Sequence, residues 1–254
     1  MPNPKLSRTR GIFLLPNLFT TAGLFAAFYS IVAAMQQQYE SAAIAIFFAL
    51  IADVLDGRVA RLTNTQSEFG AYYDSLVDVI SFGVAPALLM FNWSLHTLGK
   101  VGWLAAFIYT AATALRVARF NALAQNTDKR FFHGLACPAA AVMLASIVWF
   151  CQVYQFDHFV LHILFLLVIL LLSLLMVSNV RYYGFKDIDL RKALPWMAAL
   201  LIVLVIVTIS LNPPLVILIG CTGYVLAGPI YTYSILVKKK YHLRRTQPHH
   251  HDQK

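Results

Sequence analysis

Apolar residues run along this chain in long stretches, divided by short polar or turn-forming groups. A helix needs about 20 predominantly apolar residues to cross the hydrocarbon core of a bilayer. By that measure the pattern predicts eight spans, near 12–35, 40–61, 69–92, 101–124, 135–154, 159–178, 194–211 and 214–237. Gln36-Gln37-Gln38, the polar run Thr63 to Gln66, Asn126-Thr127-Asp128 and Asn212-Pro213-Pro214 punctuate them. The division between the fifth and sixth spans, at Gln155 to His158, is the least sharp. The fold class expected is all-α, a polytopic transmembrane bundle.

Composition agrees. Of 254 residues, 59% are hydrophobic and 12% charged, and the mean hydropathy is +0.68. Soluble domains carry about 25% charged residues, so a cytosolic enzyme, a disordered tail protein and a disulfide-rich secreted domain are poor readings. Cys137, Cys151 and Cys221 lie far apart, in or next to apolar stretches, with neither disulfide nor zinc spacing. The net charge of +9 points to a membrane surface rather than nucleic acid, because of where the charges fall. Eight spans put both termini on one side. That side holds 19 of the 20 lysines and arginines, and the other keeps only Lys100. By the positive-inside rule the basic side is cytoplasmic. The first apolar run follows Lys5, Arg8 and Arg10 but is too long for a signal sequence, so a retained first helix is expected. One membrane domain, 1–237, is expected, with its core at about 50–125 and a basic tail at 238–254. Trp93, Trp103 and Trp149 fall toward span ends, as interfacial anchors do.

Four of the eleven acidic residues, Asp53, Asp56, Asp74 and Asp78, fall within 26 residues of the second and third spans. Each would cost about 2.5–3.5 kcal/mol at the bilayer centre. They must face a hydrated cavity, pair with cations or bind metal. Helical spacing sets Asp53, Asp56, Gly57, Ala60 and Arg61 on one face, and Gly70, Asp74 and Asp78 on one face of the next helix. Asp53 lies roughly 12 Å from Arg61 along the axis, within reach of cytoplasmic water. Gly57 and Gly70 leave room for a backbone or a large ligand. Four carboxylates on facing helices suit hard divalent cations such as Mg²⁺ or Mn²⁺, with charge enough for two. Two alternatives stay open: a proton or ion pathway, and pairing with Arg58 and Arg61, although two arginines cannot neutralise four aspartates.

The segment Asp53-Val-Leu-Asp56-Gly57-Arg-Val-Ala60-Arg61, then eight residues, then Gly70-Ala-Tyr-Tyr-Asp74-Ser-Leu-Val-Asp78 resembles the signature of the CDP-alcohol phosphotransferase family. Every fixed position of D-x-x-D-G-x-x-A-R and G-x-x-x-D-x-x-x-D is filled. Pro16-Asn-Leu-Phe-Thr20 resembles the start of the family's first helix. Arg116-Val-Ala-Arg119-Phe-Asn121, Gly134-Leu-Ala-Cys-Pro138-Ala-Ala-Ala141, Leu175-Met-Val-Ser178 and Tyr183-Gly-Phe-Lys186 resemble segments of the integral-membrane phosphatidylserine synthases of bacteria and archaea. Ala136 stands where proline is expected, and Gly184 where serine is commoner.

The resemblance implies a transferase with CDP-diacylglycerol and L-serine as substrates and two divalent ions, Mg²⁺ or Mn²⁺, as cofactors. Asp53, Asp56, Asp74 and Asp78 would hold the metals, and Asp78 would also act as base. Asp53, Gly57, Ala60, Arg61 and Gly70 would receive the CDP-lipid. Arg116, Arg119 and Asn121 are candidates for serine, because its carboxylate needs a cation; snorkelling of the arginines to lipid phosphates is the plainer reading. Lys186 is a weaker candidate for serine, and a headgroup contact is its plainer reading. A homodimer in the bacterial inner membrane, with its site facing the cytoplasm and no nucleic-acid partner, is also implied. Other acceptors (glycerol phosphate, inositol phosphate, choline) and a metal or proton transporter are the alternatives.

Overall fold

The computed structural model describes residues 5–63, 65, 67–123, 132–156, 159–178, 180–182, 200, 203–204, 207–208 and 210–245. Backbone groups in lipid must be satisfied within their own segment, so apolar runs of this length become helices. Among the described residues, six helical stretches are long and apolar enough to cross a membrane: Pro16–Met35, Glu68–Trp93, Lys100–Ala122, Cys137–Tyr154, Val160–Val177 and Pro213–Thr232. The stretch expected at 40–61 is a helix of 24 residues, α2 (Tyr39–Leu62). Glu40, Asp53, Asp56, Arg58 and Arg61 make it more charged than the six. The stretch 194–211 lies largely outside the described residues, as do Tyr183-Gly-Phe-Lys186 and the tail beyond Arg245.

Helix α1 (Lys5–Met35) turns into α2 at the three glutamines, where Gln37 takes a positive φ of 62°. The two helices lie against each other through small residues. Ala27, Ala33, Ala34, Ala42, Ala43, Ala45 and Ala49 are buried, and small side chains let helix backbones approach closely within a membrane. Ser30 ties the pair by donating to the Ala42 carbonyl at 2.8 Å.

The third span is not one regular helix. α3 (Glu68–Val79) passes through a π-helical turn, Ile80–Val84, into α4 (Ala85–Trp93). The cause is legible in the residues. Pro86 has no N–H to return to the preceding turn, and the Phe82 carbonyl instead accepts the Tyr109 hydroxyl at 3.1 Å. Tyr109 belongs to α5 (Lys100–Leu123) and is fully buried. The wide turn is therefore anchored from the neighbouring helix.

Helix α6 (Cys137–Tyr154) starts with Pro138 in its first turn and ends at Gln155 in the left-handed conformation. It packs against α2 and α8 (Pro213–Arg245). Helix α7 (Phe159–Val177) packs on α5. A two-residue antiparallel bridge joins β1 (Phe132–His133) to β2 (Arg181–Tyr182). Beside it, Gly134 takes φ +82°, and a Cβ there would lie 2.4 Å from the Met176 carbonyl oxygen. Gly134 N–H donates to Val180 O and Leu135 N–H to Leu175 O, so this loop satisfies backbone acceptors at and beyond the end of α7.

Candidate active site

Four aspartates line one cavity. Asp53 and Asp56 come from α2, and Asp74 and Asp78 from α3, with Thr20 and Ser81 completing the polar wall. The enclosed space, counting the part open to solvent, is about 180 Å³. That space is too small for a whole nucleotide-lipid. One carboxylate oxygen from each of Asp53, Asp56 and Asp74 lies within 4.8 Å of the others. Asp78 sits within hydrogen-bonding reach of Asp53. The arrangement follows from the two spacings: each places its carboxylates on one helical face, and the short connection turns those faces together.

The donor set is all oxygen and all anionic, which fits a hard divalent cation. Pairing with arginine is not what the geometry favours. Arg61 is exposed, and its Nε is turned back onto the Gly57 carbonyl at 2.7 Å. Asp56, only 5% exposed, accepts the Thr20 hydroxyl at 2.7 Å. Thr20 lies in the Pro16–Thr20 stretch of α1, so the first helix supports the cluster from behind.

The residues expected around the CDP-lipid fall in different settings. Gly57 and Ala60 are half-buried, and a Cβ at Gly57 would meet only the end of the Arg61 side chain, at 3.8 Å. Gly70 is tighter. A Cβ there would approach the Asn17 side-chain oxygen at 3.3 Å and Ser67 Oγ at 3.1 Å. Its smallness thus serves the approach of α3 to α1, and Ser67 caps α3 by accepting from Gly70 N–H.

The three residues expected to meet serine diverge. Arg116 is half-buried and points Nη1 at Cys137 Sγ, 3.5 Å away, while its Nε is buried without a partner. Arg119 is exposed and reaches the Val177 carbonyl at the end of α7, at 3.4 Å. Asn121 donates to Ser75 Oγ at 2.9 Å, beside Asp74 in sequence. These contacts join segments that sequence alone left separate: 116–121, 134–141 and 175–178 meet around the ends of α5, α6 and α7.

Two site residues were not singled out from sequence. Thr20 lies in the Pro16–Thr20 stretch, where the sequence alone gives its hydroxyl no partner. Ser81 follows Asp74 and Asp78 at i+7 and i+3, a spacing that already set it on their face.

Comparison with known proteins agrees with this geometry. Residues 13–204 match the family model for CDP-alcohol phosphatidyltransferase. A protein of Helicobacter pylori (strain ATCC 700392 / 26695) named CDP-diacylglycerol–serine O-phosphatidyltransferase is 39% identical over 229 residues, 89% of this chain and 94% of its own. Proteins of the same name are 30% identical in Bacillus subtilis (68% of this chain, 91% of theirs) and 39% identical in Methanocaldococcus jannaschii (54% and 61%). With the aspartate signature filled and three quarters of its length matched, the chain belongs to the CDP-alcohol phosphatidyltransferase family.

Proposed function

We propose that this chain transfers the phosphatidyl group of CDP-diacylglycerol to the hydroxyl of L-serine, giving phosphatidylserine and CMP. The observation that carries the reading is the cavity of four aspartates on α2 and α3, three of them gathered within 4.8 Å. The names of the similar proteins and the meeting of segments 116–121, 134–141 and 175–178 support serine as the acceptor.

Asp53, Asp56 and Asp74 would hold two Mg²⁺ or Mn²⁺ ions, with Asp78 beside them. Bound there, the ions supply charge neutralisation to the diphosphate and to the departing CMP. The chain's own residues do the rest. Asp78 takes the proton from the substrate hydroxyl as its oxygen bonds to the phosphorus bearing diacylglycerol. The bond from that phosphorus to the CMP oxygen breaks, and CMP leaves with the bonding pair. Gly57 and Ala60 leave the face of α2 low for cytidine and phosphate. Arg61 leaves the Gly57 carbonyl to pair with phosphate oxygens. Arg116 meets the serine carboxylate, with Arg119 and Asn121 shaping the same wall.

The reading extends to the whole chain. The domain spans 1–237 with its core at 50–125, crosses the membrane eight times and keeps both termini and the aspartates on the cytoplasmic side of a bacterial inner membrane. It works as a homodimer. The test is incorporation of labelled L-serine into lipid by the purified protein with CDP-diacylglycerol, in the presence of unlabelled competitors. Labelling that unlabelled serine suppresses, and that glycerol phosphate, inositol phosphate and choline do not, is the expected result. Labelled lipid formed from one of those alcohols, and none from serine, would overturn the acceptor.

A further inference from the structure

One buried polar side chain in the aspartate cavity makes no hydrogen bond. Ser81 lines the cavity, is 2% exposed, and its Oγ has no hydrogen-bond partner. Its isolation is unusual within this chain. Several helical hydroxyls here return to the carbonyl four residues back: Thr21 to Asn17, Ser75 to Ala71, Thr113 to Tyr109 and Ser173 to Ile169. Ser81 does not. It sits in the π-helical turn Ile80–Val84, where the regular four-residue return is broken, and the turn is held in place by Tyr109 on the Phe82 carbonyl.

A buried hydroxyl without a partner is costly, so its partner is expected among whatever the cavity holds. The chemistry of the wall narrows the choice. Ionised carboxylates only accept hydrogen bonds, whereas a hydroxyl donates one and accepts others. Thr20, the other hydroxyl on the wall, is already engaged by Asp56 and by the Pro16 carbonyl. Ser81 is thus the uncommitted side-chain donor among the polar residues that line the cavity. A hydrated divalent cation held by the carboxylates would supply water protons that the Ser81 oxygen can accept.

We propose that Ser81 is a further residue of the cation site, holding the hydration of a divalent ion one helical turn along from Asp78. The inference rests on the metal-binding reading of the aspartates and adds to it a ligand-facing hydroxyl outside the family signature. Residues that orient a metal's surroundings change affinity about 10–100-fold when removed.

The test is titration of Mn²⁺ into the purified full-length protein in detergent, without lipid or serine. Free Mn²⁺ is read by electron paramagnetic resonance, and unfolding temperature is followed with and without the ion. Ser81→Ala should weaken Mn²⁺ binding about tenfold and shrink the Mn²⁺-induced rise in unfolding temperature. Without metal it should unfold no earlier than wild type, since it loses an unpaired buried hydroxyl. Ser81→Thr, which keeps the hydroxyl, should recover most of the affinity. Mn²⁺ binding by Ser81→Ala equal to wild type would overturn the inference and leave the aspartate site standing. So would a metal-free Ser81→Ala that unfolds early with its affinity intact, because the hydroxyl would then be structural. Wild type that binds no Mn²⁺ would overturn the metal reading itself, and this inference with it.

Discussion

Asp78 differs from the other three aspartates in its neighbours. Asp53, Asp56 and Asp74 each place a carboxylate oxygen within 4.8 Å of the others, and Asp78 lines the same cavity. That division suits three ligands and a base. Asp78→Asn is expected to lower turnover by about 10²–10⁴-fold, the usual contribution of a general base. Mn²⁺ and CDP-diacylglycerol binding should partly survive, as equilibrium binding to the variant would report. Normal turnover would remove the base assignment. Arg119→Ala is expected to raise the KM for serine more than that for the lipid, measured by varying each substrate in turn; the reverse pattern would take Arg119 away from the serine site. At this scale the aspartates were legible in sequence, because helical periodicity alone puts each pair on one face. The directions of Arg116, Arg119 and Asn121 were not. Each is set by a partner on another helix, Cys137, Val177 and Ser75, and sequence spacing does not reveal which helices adjoin.

Among the elements, the wide turn at Ile80–Val84 and the loop at Gly134 matter most to the site. Tyr109→Phe would leave the Phe82 carbonyl buried without its donor. The expected cost is about 1–3 kcal/mol, seen as a lower unfolding temperature in detergent. An unchanged temperature would mean that the turn does not depend on Tyr109. Gly134→Ala sets a methyl 2.4 Å from the Met176 carbonyl oxygen at a positive φ, and should destabilise by more than about 1 kcal/mol. Wild-type stability would show that the loop yields without penalty. Helix existence was readable from apolar runs: α5, α6 and α7 begin and end within a few residues of the spans predicted from hydropathy. The break within the third span was not predicted. Pro86 offered a signal, but a proline can also sit in a helix's first turn, and the choice depends on Tyr109 arriving from α5.

Taken whole, the molecule is a helical bundle whose charged helix α2 packs on α1, α4 and α6, with Asp56 buried against α1. Only Lys100 among the lysines and arginines falls on the side predicted to face away from the cytoplasm. A cysteine replacing Lys100 should therefore react with an impermeant maleimide only from the outside of sealed cells. One replacing Lys254 should react only after the inner face is opened. Labelling of both from the same side would contradict the eight-span topology. The most direct measurement is CMP release by the purified protein given CDP-diacylglycerol and Mn²⁺ or Mg²⁺, with and without L-serine and with a chelator. The account predicts release that requires serine and stops when the metal is removed. Release indifferent to serine and to the chelator, or none from folded protein alongside metal flux in sealed vesicles, would contradict it.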